Sequence, residues 1–129
     1  MSIIRANFIV PYPPAELRPN TRAHHLAVAA ARKKYRTTCA WLAKVSIGQF
    51  GRLSANAPEI IVESTIVQNS KRYRLDDDNA VRMLKHILDA VQDATGINDS
   101  KYRVRIPEQK VGKVKNPEVR VFLSAEVGP

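Results

Sequence analysis

Residues 59–96 read EIIVESTIVQNSKRYRLDDDNAVRMLKHILDAVQDATG, and the change of period inside them decides the fold class. The opening EIIVESTIVQ is dense in β-branched side chains, which are stiff at χ1 and suit a pleated surface, so it reads as a strand, central in its sheet. From Asn79 to Thr95 the apolar residues Val81, Leu84, Leu88 and Val91 return at three- and four-residue spacing, the buried stripe of a helix. Gly96 supplies its stop. The stretch from Asn69 to Asp78 is a polar connection between the two.

The flanks extend the pattern. Residues 2–10 alternate, with Ile4, Ala6, Phe8 and Val10 on one side and Arg5 and Asn7 on the other, so a first strand is expected there. The following PYPPAELRPN (11–20) carries Pro11, Pro13, Pro14 and Pro19, which remove backbone donors and fix φ; it reads as a stiff loop. From about Thr21 to Phe50 the spacing predicts a long helix, with Val28, Ala31, Tyr35, Leu42 and Val45 as its stripe, Cys39 between them, and fraying expected after Lys44. Arg32, Lys33, Lys34 and Arg36 fall on its outer face. A polar turn occupies Ser54 to Pro58. Two more strands are expected near 101–106 and 119–125, joined by EQKVGKVKNP (108–117) as an exposed loop. The order β-α-β-α-β-β predicts a small α+β domain, one unit over 1–129, with two main helices packed on a mixed sheet.

With 129 residues, 44% hydrophobic and 26% charged, the chain has room for one core and not for two domains. Its single cysteine cannot form an internal bridge, which points to a reducing cytoplasm. No apolar run approaches the roughly 20 residues that span a bilayer, so no membrane association is expected. Twenty-one Lys and Arg against 12 Asp and Glu give a net charge of +9. Residues 1–50 hold eight of the bases and one acid. Such a field favours polyanionic partners, because neutralising phosphates releases condensed counterions, and nucleic acid leads among them.

The few acids are therefore informative. Asp76, Asp77 and Asp78 stand together directly before the second helix. One Asp there is explained as an N-cap, stabilised by the helix dipole. Three adjacent ones exceed what a cap needs, and their repulsion would be relieved by Mg²⁺, a hard ion often held by one or two carboxylates plus water and substrate phosphate. If the approach to the helix is extended, Asp76 and Asp78 point the same way and form the useful pair. Asp99, in the INDS turn, is a third candidate. A helix of 17 residues is about 25 Å long, so Asp99 reaches Asp78 only if the helix is shorter or another copy of the chain supplies it. Asp78, Arg82, Lys85 and Asp89 share one helix face; they read either as i,i+4 ion pairs or as bases that meet phosphate oxygens beside a metal carboxylate.

Other residues carry less. His24 and His25 have no third ligand at metal spacing, and His24 with Arg22 reads instead as part of a DNA-facing loop. Trp41 and Tyr35 are expected in the core or at a dimer contact. Cys39 is expected buried and inert.

Three stretches at these relative positions, FIVPYPPAELRPNTRAH (8–24), DDDNAVRMLKHILDAV (76–91) and GINDSKY (96–102), resemble the RusA family of Holliday junction resolvases, common in phages and prophages. The resemblance implies a RusA-like fold and a homodimeric, Mg²⁺-dependent endonuclease that places paired nicks in four-way DNA junctions, in a bacterial or phage-infected cell. It assigns metal-binding or catalytic roles to Asp76, Asp78 and Asp99, and Asn79 falls on the asparagine of the family motif. The family's basic helix residue falls on Arg82 counted from Asp78, or on Lys85 counted back from Asp89-Ala90. With Asn79, the expected DNA contacts are Arg22, His24, Arg72, Arg74, Lys101, Lys113 and Lys115. Two alternatives stand beside it: a non-catalytic basic protein that binds DNA or RNA, and a family member that binds branched DNA without cutting it.

Overall fold

A computed structural model of the chain, describing residues 2–19 and 21–128, has the α+β architecture expected from the sequence. Asn20, the last residue of the expected proline-rich loop, lies outside the described residues. The elements run β1 (Ser2–Pro11), α1 (His25–Ile47), a one-turn α2 (Phe50–Leu53), β2 (Ile60–Gln68), α3 (Asp77–Thr95), β3 (Tyr102–Val104), β4 (Glu108–Val111) and β5 (Glu118–Val127). Short 3₁₀ turns form at Ala15–Leu17, Lys71–Tyr73 and Asp99–Lys101. Among the described residues no helix is long and apolar enough to cross a membrane.

The sheet order is β1-β5-β2-β3, with β4 also on β2. β5 is antiparallel to both β1 and β2, from Val119 beside Val10 to Ala125 beside Ile4 on one side and from Glu118 beside Val67 to Ser124 beside Ile61 on the other. Two antiparallel pairings in succession make β1 and β2 parallel, so a helical crossover must join them, and α1 supplies it; α3 does the same between β2 and the parallel β3. β3 and β4 both lie parallel to β2, along its first and second halves.

They are two parts of one interrupted edge. Pro107, which has no amide hydrogen, stands at the break between them, and the last ladder bond before it is donated by Arg105 N–H to the Val62 carbonyl at 2.9 Å. The expected strand at 101–106 is accordingly confined to 102–104. The expected loop 108–117 is corrected in its first part: Glu108–Val111 is a strand. Its Glu, Gln and Lys have little intrinsic strand preference, and pairing with Thr65–Gln68 provides what propensity does not.

Both long helices cover one face of the sheet. Phe8, Val10, Ile60, Val62, Ile66, Val119, Val121 and Leu123 point into that layer and meet Tyr35, Cys39 and Ala43 of α1 and Met83, Leu84, Ile87 and Val91 of α3. Among the described residues no helix covers the opposite sheet face, and Ile3, Ile9 and Phe122 are exposed. The expected stripes need two corrections. Val45 and Val81 are exposed, and small residues, Ala40 and Ala43 in α1 and Ala80 and Ala90 in α3, occupy the buried positions that let the helices approach closely. Trp41, expected in the core or at a contact between copies, is 63% exposed and not a core residue, because it points away from the side of α1 that carries Cys39, Ala43 and Ile47. Tyr35 is buried as expected, and its hydroxyl donates to the Pro11 carbonyl at 2.6 Å, tying α1 to the end of β1. Cys39 is fully buried, and burial pushes its thiol pKa up to about 11, which makes it unreactive.

The helix expected over 21–50 is shorter at both ends. α1 stops at Gly48, whose φ of +56° lies in the region glycine favours, and the chain then makes the separate turn α2. Gly51 in that turn lies against the end of α3: a Cβ there would sit 2.7 Å from the Thr95 carbonyl oxygen. Gly51→Ala is therefore expected to destabilise the protein by about 1–3 kcal/mol, since backbone rather than a movable side chain blocks the methyl group. Urea unfolding of the two proteins measures this, and equal midpoints would show that α2 does not press on α3.

Candidate functional site

The topology gathers charged residues at one end of the sheet. The carboxyl ends of β1, β2 and β4 and the start of β5 all lie there, since Pro11 pairs Glu118 and Gln68 pairs Val111. The loops leaving that end carry Arg18, Arg22, Lys71, Arg72, Arg74, Lys113 and Lys115. α1 and α3 also begin there. They run side by side in one direction, with Arg32 facing His86 and Arg36 paired to Asp93 at 2.6 Å further along. Their free N-terminal amides add partial positive charge to an already basic surface.

Asp76 is the N-cap of α3. Its Oδ1 accepts from the Asn79 backbone N–H at 2.8 Å, and the Asn79 side-chain amide donates to Oδ2 at 3.3 Å. Asp77 and Asp78 form the first helical turn, so the extended approach under which Asp76 and Asp78 would point the same way is corrected: both oxygens of Asp76 turn back onto the helix end while Asp78 is exposed on the helix surface. Asn79, expected at DNA, is half-buried and holds the Asp76 carboxylate.

The helix face of Asp78, Arg82, Lys85 and Asp89 looks away from the core, as the spacing predicts. The i,i+4 ion pairs do not form: among the described residues the ion pairs are Arg36–Asp93, Arg103–Glu59 and Arg120–Glu118. Arg82 and Lys85 are thus free cations beside an acidic helix start.

Asp99 lies elsewhere. α3 has 19 residues, longer than expected, and spans about 28 Å. Asp76 and Asp78 stand at its start, and Asp99 opens the turn just beyond its end, after Gly96 takes the left-handed φ of +74°. Of the two ways for Asp99 to reach Asp78, the shorter helix is ruled out. Among the described residues of one chain, no three His, Cys, Asp or Glu side chains come together as a metal-holding group. Lys101 is also at the far end, its Nζ donating to the Ala55 carbonyl at 3.1 Å.

His24 caps α1, its Nδ1 accepting from the Leu26 N–H at 3.2 Å, with its ring 4.2 Å from that of His25. Arg22 is exposed just before it. The structure adds partners that sequence reading missed. Arg18 lies over the Tyr12 ring at 5.1 Å and Arg72 over the Tyr73 ring at 5.4 Å, so aromatic faces interleave with the bases at this end. Gln109 of β4 clamps Leu75, the residue before the cap: its Oε1 accepts from the Leu75 N–H and its Nε2 donates to the Leu75 carbonyl, both at 2.7 Å. Only the dense run of bases in KRYR hinted at this arrangement; Gln109 left no signal in a stretch that read as loop.

No protein-family model matches the chain, and no curated protein is significantly similar to it in sequence.

The Asp76 cap makes a measurable contribution. Asp76→Ala should lower stability by about 0.5–2 kcal/mol, whereas Asp76→Asn, also a good cap, should leave it nearly unchanged. Thermal unfolding of the three proteins distinguishes these, and equal losses in both variants would contradict the capping geometry.

His86 introduces a pH dependence. Burial depresses its pKa below the ordinary 6.5, with Arg32 and Lys85 adding to the effect and Asp89 opposing it. Above the unfolded value both states are neutral. As pH falls below it, the unfolded chain takes up the proton first, so stability declines toward pH 5. Denaturant titrations from pH 7.5 to 5 should show this slope, and His86→Gln should flatten it.

Proposed function

We propose that the chain is a Mg²⁺-dependent, structure-selective endonuclease that resolves four-way DNA junctions by paired nicks, acting as a homodimer. The observation that carries the reading is Asp78, an exposed carboxylate with no ion-pair partner among the described residues, at the acidic start of a helix to which basic loops lead. In a basic protein that binds a polyanion, an unpaired acid at the centre of the binding surface weakens binding and calls for another role. The residues fit a Mg²⁺ site of the kind completed by water and substrate phosphate, with Asp78 as an uncommitted oxygen donor and Asp76 beside it. When bound there, the ion would polarise the scissile phosphate and supply a nucleophilic water at neutral pH.

The chain's own residues do the rest. Arg82 and Lys85, one and two turns along the same face, are within the span of a single phosphodiester backbone and stabilise charge on its non-bridging oxygens. Arg22, Arg72, Arg74, Lys113 and Lys115 hold the arms of the substrate through phosphate, which sets register rather than sequence. Asp99 joins this site only from a second copy of the chain, because α3 separates it from Asp78 by its full length. A closed twofold dimer with two such shared sites matches the two strands that a junction presents for cutting.

One observation favours a binding-only reading, in which the chain grips branched DNA or other nucleic acid without cutting it: the Asp76 carboxylate is already used as a helix cap. Nicking of a labelled four-way junction, with Mg²⁺ or with EDTA, separates the two. Asp78→Asn and Asp99→Asn should each lose nicking while retaining junction binding. Mixing the two inactive proteins should restore single nicks, because one of the two shared sites in the mixed dimer is then intact. Wild-type nicking by Asp78→Asn would sink the catalytic assignment, and no recovery on mixing would place Asp99 outside the site.

A further inference from the structure

A cavity of about 400 Å³ lies between the second half of β2, β4 and the segment leading into α3. Val111 gives it an apolar wall and the core residue Ile66 lies at its floor, Lys71, Arg74 and Lys110 stand around it, and among the described residues no carboxylate lines it. None of these three cations has an ion-pair partner among the described residues.

The lining specifies its ligand. Three unpaired cations select an anion, but a phosphate alone fills a small part of this volume and gains nothing from Ile66 and Val111. A ligand with an anionic group joined to a flat, weakly polar ring uses both halves. Cavities that hold small molecules begin at roughly 300 Å³, and a single nucleotide is of that size. We propose that this cavity seats one nucleotide, its phosphate toward Lys71, Arg74 and Lys110 and its base against Ile66 and Val111.

The seat reads the presence of a base more than its identity. The amides that could have read base edges are committed: Gln109 to both backbone groups of Leu75, and Gln68 to the Tyr73 carbonyl at 3.0 Å. Strong discrimination comes from hydrogen-bonding groups left unpaired by the wrong ligand, and here both polar atoms of the Gln109 amide and the Gln68 amide nitrogen are already used. Leu75 joins the seat directly to Asp76, so a nucleotide extruded from a bound strand would be held next to the acidic helix start. That role rests on the nuclease reading above, whereas nucleotide binding does not.

The test titrates the isotope-labelled full chain, without Mg²⁺, with a 2′-deoxynucleoside 5′-monophosphate, the matching nucleoside, inorganic phosphate, or a short single-stranded oligodeoxynucleotide, reading backbone amide shifts. The mononucleotide should move the amides of Gln68, Gln109, Lys110 and Val111 and saturate at a concentration at least about tenfold below that of phosphate, with the four bases differing by less than about tenfold. The nucleoside alone should not saturate. Val111→Trp, at a half-exposed position on the cavity wall, should abolish these shifts by filling the space with all three cations in place. If that variant is misfolded, Lys110→Ala with Arg74→Ala should weaken nucleotide binding by at least about tenfold. Shifts of the same amides by the oligonucleotide, displaced by the mononucleotide, would identify a DNA strand as the source; shifts by the mononucleotide only would identify a free nucleotide. Phosphate binding as tightly as the nucleotide, or nucleotide shifts unaffected by a folded Val111→Trp, would overturn the proposal. Because no arm reads cutting, an inactive nuclease leaves this result standing, and an empty cavity leaves the nicking assay standing.

Discussion

The insertion of β5 between β1 and β2 is the constraint on which the rest of the architecture depends. Being antiparallel to both, it makes them parallel to each other, and parallel strands cannot be joined by a tight turn. The step from β1 to β2 therefore needs α1, and the step from β2 to the parallel β3 needs α3; both crossovers move the same way along the sheet, so with the usual right-handed connection the two helices lie on one face and start at the same end. Every loop that follows a strand terminus there, after β1, β2 and β4, is thereby brought to the two helix N-termini. The basic character of that end is a product of connectivity as much as of composition.

That geometry accounts for what the acidic cluster can and cannot do. A helix start surrounded by Lys and Arg tolerates three adjacent carboxylates, since the dipole and the neighbouring cations offset their mutual repulsion. Asp76 is held by Asn79 and by the Gln109 clamp on Leu75, and this fixes the chain's entry into α3. Asp78 and the bases beyond it remain open to solvent. The same helix that displays them keeps Asp99 of the same chain at its far end. The cavity lined by Lys71, Arg74 and Lys110 and the rings of Tyr12 and Tyr73 under Arg18 and Arg72 lie at this same end of the sheet.

Periodicity and composition were enough for the order of the two long helices and of the strands other than β4, the α+β class, the Gly96 stop, the buried Cys39 and the outward face of Asp78, Arg82 and Lys85. Each depends on local spacing or on side-chain chemistry, which the chain carries with it. Two features were not legible because their energy comes from partners distant in sequence. Glu108–Val111 is a strand because Thr65–Gln68 offers it a ladder, against its own propensity. Alanines fill the buried faces of the helices because the spacing between helices, unknown to the sequence, decides what fits, and this is why Val45, Val81 and Trp41 are outside. A third miss is local: Asp77 and Asp78 are helical rather than extended because the Asp76 cap starts the helix at Asp77, two residues before the expected Asn79. Which residues can share a face was thus determined by the sequence alone, through the 3.6- and 2-residue periods. Which faces meet, and that Asp99 and Asp78 of one chain do not, was decided only by the tertiary fold, because a helix of that length separates its ends whatever residues it carries.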